Sequence, residues 1–118
     1  MIIWEPDKGV IRRASYDDIR EVVYALIQLI PPGRVTSYGD IAKILGVSPR
    51  LVGRALRDND KPIVIPCHRV VGSNGELRGY SLGGTGFKKK LLELEGVGFR
   101  GNRVMKEYFI SLVDMLGR

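Results

Sequence analysis

Residues 37–57 read SYGDIAKILGVSPRLVGRALR, and this stretch decides the fold. Ser37 with Asp40 three residues on is a helix start that caps its own first turn. Ile41, Ile44 and Leu45 supply a short apolar stripe, and Gly46 is a natural C-terminal stop. Ser48-Pro49 restarts a helix almost at once, a hydroxyl cap followed by proline at the first helical position. Leu51, Val52, Ala55 and Leu56 form its buried face, while Arg50, Arg54 and Arg57 lie three or four apart on the exposed side. Two short helices on a tight glycine turn, the second one basic, fit a helix-turn-helix. An αα-hairpin with a solvated basic face would show the same pattern. The cap at Ser48 puts backbone N–H groups and Arg50 where phosphates or bases are met. Ser48, Arg50 and Arg54 are therefore candidate nucleic-acid contacts.

Upstream, Ser15-Tyr16-Asp17-Asp18 is another capped start. Ile19, Val22, Val23, Leu26, Ile27 and Ile30 follow at helical spacing, and Pro31-Pro32-Gly33 stops the helix. Residues 1–14 read as strand or irregular. Downstream, KPIVIP at 61–66 is an apolar run bounded by prolines and predicts a short extended segment. Asn74-Gly75 between Val70-Val71 and Leu77 predicts a small hairpin. Residues 79–84 are a glycine-rich loop, Thr85 caps a predicted helix running to Glu95, and Gly96 ends it. A last amphipathic helix is predicted over Val104–Leu116. The fold class is mainly α: a winged-helix-like helix-turn-helix domain with one small β element, in a single domain spanning 1–118.

The 118 residues carry 19 basic and 13 acidic side chains, a net charge of +6 and a pI near 9.7. Residues 1–33 hold four basic and five acidic groups, 34–66 six and three, and 67–118 nine and five. Basic excess over the last two thirds suits a polyanionic partner, nucleic acid first. No apolar run approaches the ~20 residues of a membrane span, and Glu5 and Asp7 stand where an export signal would be apolar. One cysteine makes no internal disulfide, and one cysteine with one histidine cannot fill a four-ligand zinc site unaided. The expected setting is a reducing cell interior, cytoplasmic near the nucleoid or nuclear, with no metal and no membrane partner.

The lone cysteine and lone histidine are neighbours in IVIPCHRVVG, residues 63–72. A cysteine attacks only as thiolate, so it needs a group to take its proton. His68 is the candidate by identity, although successive side chains point apart in extended structure. Glu95 could fold back to orient the imidazole. The competing reading is a buried structural cysteine, a common fate of that residue type. Pro66 stiffens the backbone before it, and a pair as polar as His68-Arg69 demands partners if buried.

Ile65-Pro66-Cys67-His68-Arg69-Val70-Val71 resembles the active-site signature of the O6-alkylguanine-DNA alkyltransferases. The similarity runs over residues 33–96, from Gly33-Arg34-Val35-Thr36-Ser37-Tyr38 through Arg57-Asp58-Asn59 to Leu91-Leu92-Glu93-Leu94-Glu95-Gly96. The resemblance implies that Cys67 accepts an alkyl group from O6 of guanine, with O4 of thymine left open as a further donor. It implies that His68 is a water-mediated base oriented by Glu95, and that Asn59 holds the turn at the active site. By the same resemblance Tyr38 donates a proton to the leaving guanine, and the Val70 backbone, Tyr80 and Ser81 line the base pocket. Arg50 would fill the place of a flipped base, with the helix-turn-helix in the minor groove of double-stranded DNA. Each chain would react once, as a monomer and without a cofactor. Two features depart from the family: about 33 residues precede the match where a longer N-terminal domain is usual, and the 81–84 loop is one residue longer than the commonest pattern. Alkyltransferase-like sensors bind alkylated guanine without reacting. They resemble this chain too, but usually hold tryptophan or alanine at the position of Cys67.

Overall fold

A computed structural model of the chain describes residues 2–5, 7–77 and 84–116. The chain opens with an antiparallel hairpin, β1 (Ile2–Glu5) against β2 (Val10–Arg13), with Ile2 opposite Arg13 and Glu5 opposite Val10. Helix α1 (Tyr16–Ile27) follows. Its start is a reciprocal cap: the Ser15 N–H donates to Asp18 Oδ2 at 2.8 Å, and the Asp18 N–H donates to Ser15 Oγ at 3.2 Å. The helix ends before the prolines, its last turn tightened by i→i+3 bonds from Leu29 to Leu26 and from Ile30 to Ile27.

The helix-turn-helix is α2 (Tyr38–Leu45) and α3 (Pro49–Arg57). Ser37 Oγ caps the Asp40 N–H at 3.0 Å and Ser48 Oγ caps the Leu51 N–H at 3.1 Å. Gly46 closes α2 at φ +69°, a left-handed conformation that costs a residue without Cβ little. Helices α1, α2 and α3 bury Ile19, Val23, Leu26, Ile27, Ile41, Ala42, Val52, Ala55 and Leu56 in one core. Each large aliphatic among them contributes about 1.5–3 kcal/mol on burial. Cys67 belongs to the same core.

The second half of the chain is laid over this three-helix unit. Strand β3 (Thr36–Ser37) pairs in parallel with β4 (Val70–Val71), Thr36 beside Val70 and Ser37 beside Val71. That pairing brings the start of α2 alongside the segment leaving Cys67. Helix α4 (Gly84–Leu94) is followed by a hairpin of β5 (Phe99–Arg100) and β6 (Arg103–Val104), and then by α5 (Leu112–Leu116). Val35, Val71, Leu92, Val97 and Val104 form a second buried cluster.

Five expectations need correction. KPIVIP is not extended: it closes into a tight turn, Pro62 bridging Ile65 and the Ile65 N–H donating to the Lys61 carbonyl at 2.9 Å. Among the described residues no strand lies beside this run, so its β-branched residues find no ladder there. Ile63 takes φ +77°, and Ile63 and Val64 are exposed. The turn at Asn74-Gly75 forms, with the Gly72 N–H donating to the Glu76 carbonyl, but the partner of β4 is β3 and not the Leu77 segment. Thr85 lies inside α4 and does not cap it, because the helix includes Gly84.

The helix expected over Val104–Leu116 is mostly something else. The Val35 N–H donates to the Tyr108 carbonyl and the Ile110 N–H donates to the Val35 carbonyl, both at 2.9 Å. Tyr108-Phe109-Ile110 thus extends along Val35, as aromatic and β-branched residues favour. Lys106–Tyr108 makes one 3-10 turn, and within the expected span α-helix is confined to Leu112–Leu116, its Leu112 N–H held by Asp40 Oδ2 at 3.1 Å. The single small β element expected is, among the described residues, three two-stranded sheets.

Candidate active site

Cys67, His68 and Arg69 form one 3-10 turn. Pro66 before it has φ −80° and ψ 63°, an inverse γ-turn that lets the Cys67 N–H donate to the Ile65 carbonyl at 2.8 Å. The Val70 N–H closes the far side on the Cys67 carbonyl. Successive side chains leave such a turn in different directions. Cys67 faces the core and Asn59, whereas His68 and Arg69 face the end of α4.

Asn59, the second residue past α3, staples the sulfur to its approach. Its Nδ2 donates to the Ile65 carbonyl at 3.0 Å and lies 3.3 Å from Cys67 Sγ. Its Oδ1 accepts from the Lys61 N–H at 2.9 Å. The side chain thereby fixes both ends of the 59–65 turn and aims an N–H at the sulfur.

Glu95 follows the last residue of α4, where Gly96 at φ +94° turns the chain away. Its carboxylate gathers three donors: His68 Nε2 at 3.0 Å, and Arg69 Nε at 2.9 Å and Nη2 at 2.6 Å. Arg69 Nη1 also donates to the Ile30 carbonyl at 2.9 Å, tying the end of α1 to the same group. With Nε2 engaged by Glu95, the nitrogen through which His68 can serve the sulfur is Nδ1, itself buried. Burial pushes the imidazole below its ordinary 6.5; the hydrogen bond and charge of Glu95 push back, and the charges of Arg69 and Lys88 reinforce the fall. The histidine is therefore neutral at pH 7, as a proton acceptor must be. Burial pushes the Glu95 carboxyl up, but the hydrogen bonds from Arg69 and His68 and their charges outweigh it and hold the group below its ordinary value.

Tyr38 opens α2 and packs against the core that contains Cys67. Lys88 of α4 reaches it: the Nζ donates to the Tyr38 hydroxyl oxygen at 3.4 Å and lies 5.7 Å from the ring centroid. Lys88 is 1% exposed, a buried cation against a phenol. Arg50 and Ser48 stand exposed at the start of α3. Arg54, one turn further, lies with its guanidinium 4.0 Å from the Tyr16 ring centroid. Val70 is fully buried. Tyr80 and Ser81 lie outside the described residues.

Four candidates named from the sequence, Cys67, His68, Asn59 and Glu95, thus converge. Arg69 and Lys88 were not among them. The signal for Arg69 was its place beside a buried histidine. The signal for Lys88 was its position one turn before the buried Leu92, masked by the run of three lysines.

Among the described residues no group of three or more histidine, cysteine or acidic side chains could hold a metal. No helix among them is long and apolar enough to cross a membrane.

Residues 18–97 match the family described as the DNA-binding domain of 6-O-methylguanine DNA methyltransferase. The chain is 50% identical over 76 residues to the methylated-DNA–protein-cysteine methyltransferase of Archaeoglobus fulgidus, covering 60% of this chain and 51% of that protein. A crystal structure of the O6-methylguanine-DNA methyltransferase of Pyrococcus kodakaraensis superposes with a TM-score of 0.61 at 48% identity, over 66% of this chain and 46% of that one. The S. pombe protein Atl1, in complex with damaged DNA containing O6-carboxymethylguanine, superposes with a TM-score of 0.70 at 28% identity, over 82% of this chain and 98% of that one. The chain spans about half the length of the methyltransferases named here. It belongs to the O6-methylguanine-DNA methyltransferase family through its DNA-binding domain.

Proposed function

We propose that this member of the family repairs DNA directly, taking an alkyl group from O6 of guanine onto Cys67 once per molecule. The observation that carries the reading is the single turn in which Cys67 Sγ meets the Asn59 amide at 3.3 Å while the adjoining His68 meets Glu95 at 3.0 Å. A structural cysteine needs neither an amide donor at its sulfur nor a carboxylate-oriented histidine beside it.

The chemistry follows from those roles. Cys67 gives its proton, through a water, to His68 Nδ1, and Glu95 stabilises the imidazolium that forms. The thiolate attacks the alkyl carbon in line with O6; the S–C bond forms, the C–O6 bond breaks, and the electron pair leaves with guanine. Tyr38 supplies a proton to that leaving group, and the Lys88 ammonium beside its oxygen stabilises the phenolate left behind. Solvent returns the imidazolium's proton to Tyr38. The thioether on Cys67 is no leaving group, so the reaction is stoichiometric and needs no cofactor.

Guanine O6 is stacked inside a duplex, and Cys67 is only 3% exposed, so the base has to leave the helix to reach the sulfur. Arg50, exposed at the start of α3, fills the place it vacates from the minor groove, and Ser48 and Arg54 serve the DNA backbone. The whole chain 1–118 acts as one monomeric unit inside the cell, in the cytoplasm at the nucleoid or in the nucleus, with no membrane partner.

A second reading has one observation in its favour. Atl1 is matched over 98% of its own length, so this chain could bind alkylated guanine as a sensor without reacting. Cys67, with its donors in place, favours transfer. Incubation with a duplex containing O6-methylguanine, followed by intact-protein mass measurement, tests both. Transfer adds one methyl group to the wild type and none to Cys67→Ala, which still binds. A sensor leaves both masses unchanged.

A further inference from the structure

Two tyrosines of α1 hold the end of α3 without entering the core. Tyr16 donates its hydroxyl to Asp58 Oδ2 at the C-cap of α3, and its ring faces the guanidinium of Arg54. Tyr24, two turns later, donates its hydroxyl to the Ala55 carbonyl at 2.7 Å. The last carbonyls of a helix lack intrahelical partners. Here Tyr24 takes that of Ala55, the Asp58 N–H takes that of Arg54 and the Asn59 N–H takes that of Leu56. The next residue after Asp58 is the one whose amide lies 3.3 Å from Cys67 Sγ. A single peptide bond joins the residue that Tyr16 anchors to the residue that touches the sulfur.

We propose that Tyr16 is a positioning residue for Cys67: by holding Asp58 at the end of α3, it fixes the backbone from which Asn59 presents its N–H to the thiol. The consequence for alkyl transfer rests on the reading given above, whereas the consequence for the thiol itself does not. A hydrogen bond to a thiolate lowers the pH at which it forms, and that bond depends on distance and angle. Freed at Asp58, the 58–61 backbone loses its tie to α1, and the Asn59 amide aims less well.

The anchor does not itself titrate near neutrality. Burial pushes the Tyr16 phenol up, the hydrogen bond and charge of Asp58 add to this, and Arg54 opposes it; the phenol sits at about 12 and remains a donor. The other titratable or charged groups in the neighbourhood are Tyr24, which interacts with Cys67, Arg20, Asp58 and Asp60, and His68, next to Cys67 in the chain, with Glu95, Arg69 and Lys88 around it. The variants below leave all of these in place except Asp58.

The test is the pH profile of Cys67 alkylation by iodoacetamide, run beside single-turnover transfer from an O6-methylguanine duplex and a thermal melt. Tyr16→Phe keeps the ring under Arg54 and removes only the hydroxyl. It should raise the midpoint of the iodoacetamide profile by about half a pH unit, roughly a threefold slower reaction at pH 7. Asn59→Ala should shift the midpoint the same way, and Tyr16→Phe should add nothing to it in the double variant. Asp58→Asn, which still offers an acceptor oxygen, should keep the wild-type midpoint. Should Tyr16→Phe fail to fold, Asp58→Ala must show the same shift.

A lowered melting temperature with an unchanged midpoint overturns the proposal, and so do additive shifts in the double variant. A wild type that reacts with iodoacetamide yet takes no alkyl group from the duplex overturns the transfer reading instead, and the iodoacetamide midpoints still decide the role of Tyr16.

Discussion

Glu95→Gln keeps the shape of the side chain and removes its charge, and its effects can be worked from the three donors that the carboxylate gathers. Arg69 contributes two of them and His68 one, at 2.6–3.0 Å. Hydrogen bonds to charged groups contribute about 1.5–3 kcal/mol each, less what desolvating the ions costs. With its one oxygen in the Oε1 place the amide still accepts from Arg69 Nε, but its NH2 then faces both Arg69 Nη2 and His68 Nε2, which share Oε2 in the wild type. One bond to Arg69 is lost and the bond to His68 reverses. Both partners are largely buried, with side chains 13% and 19% exposed, so the net loss is about 2–4 kcal/mol. For a chain of this length that is a fall in melting temperature of roughly 8–16 °C.

The kinetic effect is separate. An amide donating to Nε2 leaves the imidazole proton on Nδ1, the nitrogen that faces the transfer, and a histidine protonated there cannot take the thiol's proton. The expected loss in single-turnover rate is about 10²–10⁴-fold. The imidazole also loses the two influences that pushed its pKa up, so it titrates lower still. The assay is quenched single-turnover transfer, with folding verified by denaturant titration. A folded Glu95→Gln protein that transfers within about twofold of wild type would refute the oriented-histidine reasoning.

Further outcomes follow from other parts of the molecule. Arg50→Ala should slow transfer from duplex DNA about 10–100-fold, the worth of a few kcal/mol of lost flipping, while iodoacetamide still reacts with Cys67 at the wild-type rate; equal transfer by the variant on a duplex would contradict the finger role. Gly75→Ala places a Cβ 2.3 Å from the Val104 carbonyl oxygen at φ +85°, and should cost about 3 kcal/mol or more in a denaturant titration. Lys88→Met replaces a buried ammonium by an apolar chain of similar length; it should not lower the melting temperature, yet should slow transfer about tenfold by removing the cation beside Tyr38.

Acid should destabilise the fold in two windows. The folded His68 titrates below its ordinary 6.5, so its contribution is whole above that pH and is lost as pH falls toward the folded value; Glu95, held below its ordinary 4.5, is lost lower still. Melting temperatures recorded from pH 7 to 4 should therefore fall, and His68→Gln should flatten the upper part of the curve.

Local signals carried the fold where one residue settles one hydrogen bond. Ser15, Ser37 and Ser48 each cap the helix expected of them, because a short hydroxyl before a helical stripe has one good use. Periodicity misled where the deciding partner is distant in sequence. Nothing in residues 104–116 reports that Val35 will hydrogen-bond to Tyr108 and Ile110, and nothing in KPIVIP reports that no strand will lie beside it. The site divides in the same way. Asn59 was reachable only through the resemblance, and Glu95 was a candidate by residue type alone, since spacing from Cys67 carries no geometry by itself. Arg69 and Lys88 escaped because a basic residue in a basic chain reads as surface until its partner is in view.

The central claim concerns where one carbon ends up. Digestion of the protein after a single incubation with O6-methylguanine duplex, with peptide mass mapping, should find the methyl on the peptide bearing Cys67, one per chain, and unmodified guanine restored in the DNA in equal amount. Methyl groups retained in the DNA, or found on any other residue while Cys67 stays unmodified, would contradict the account.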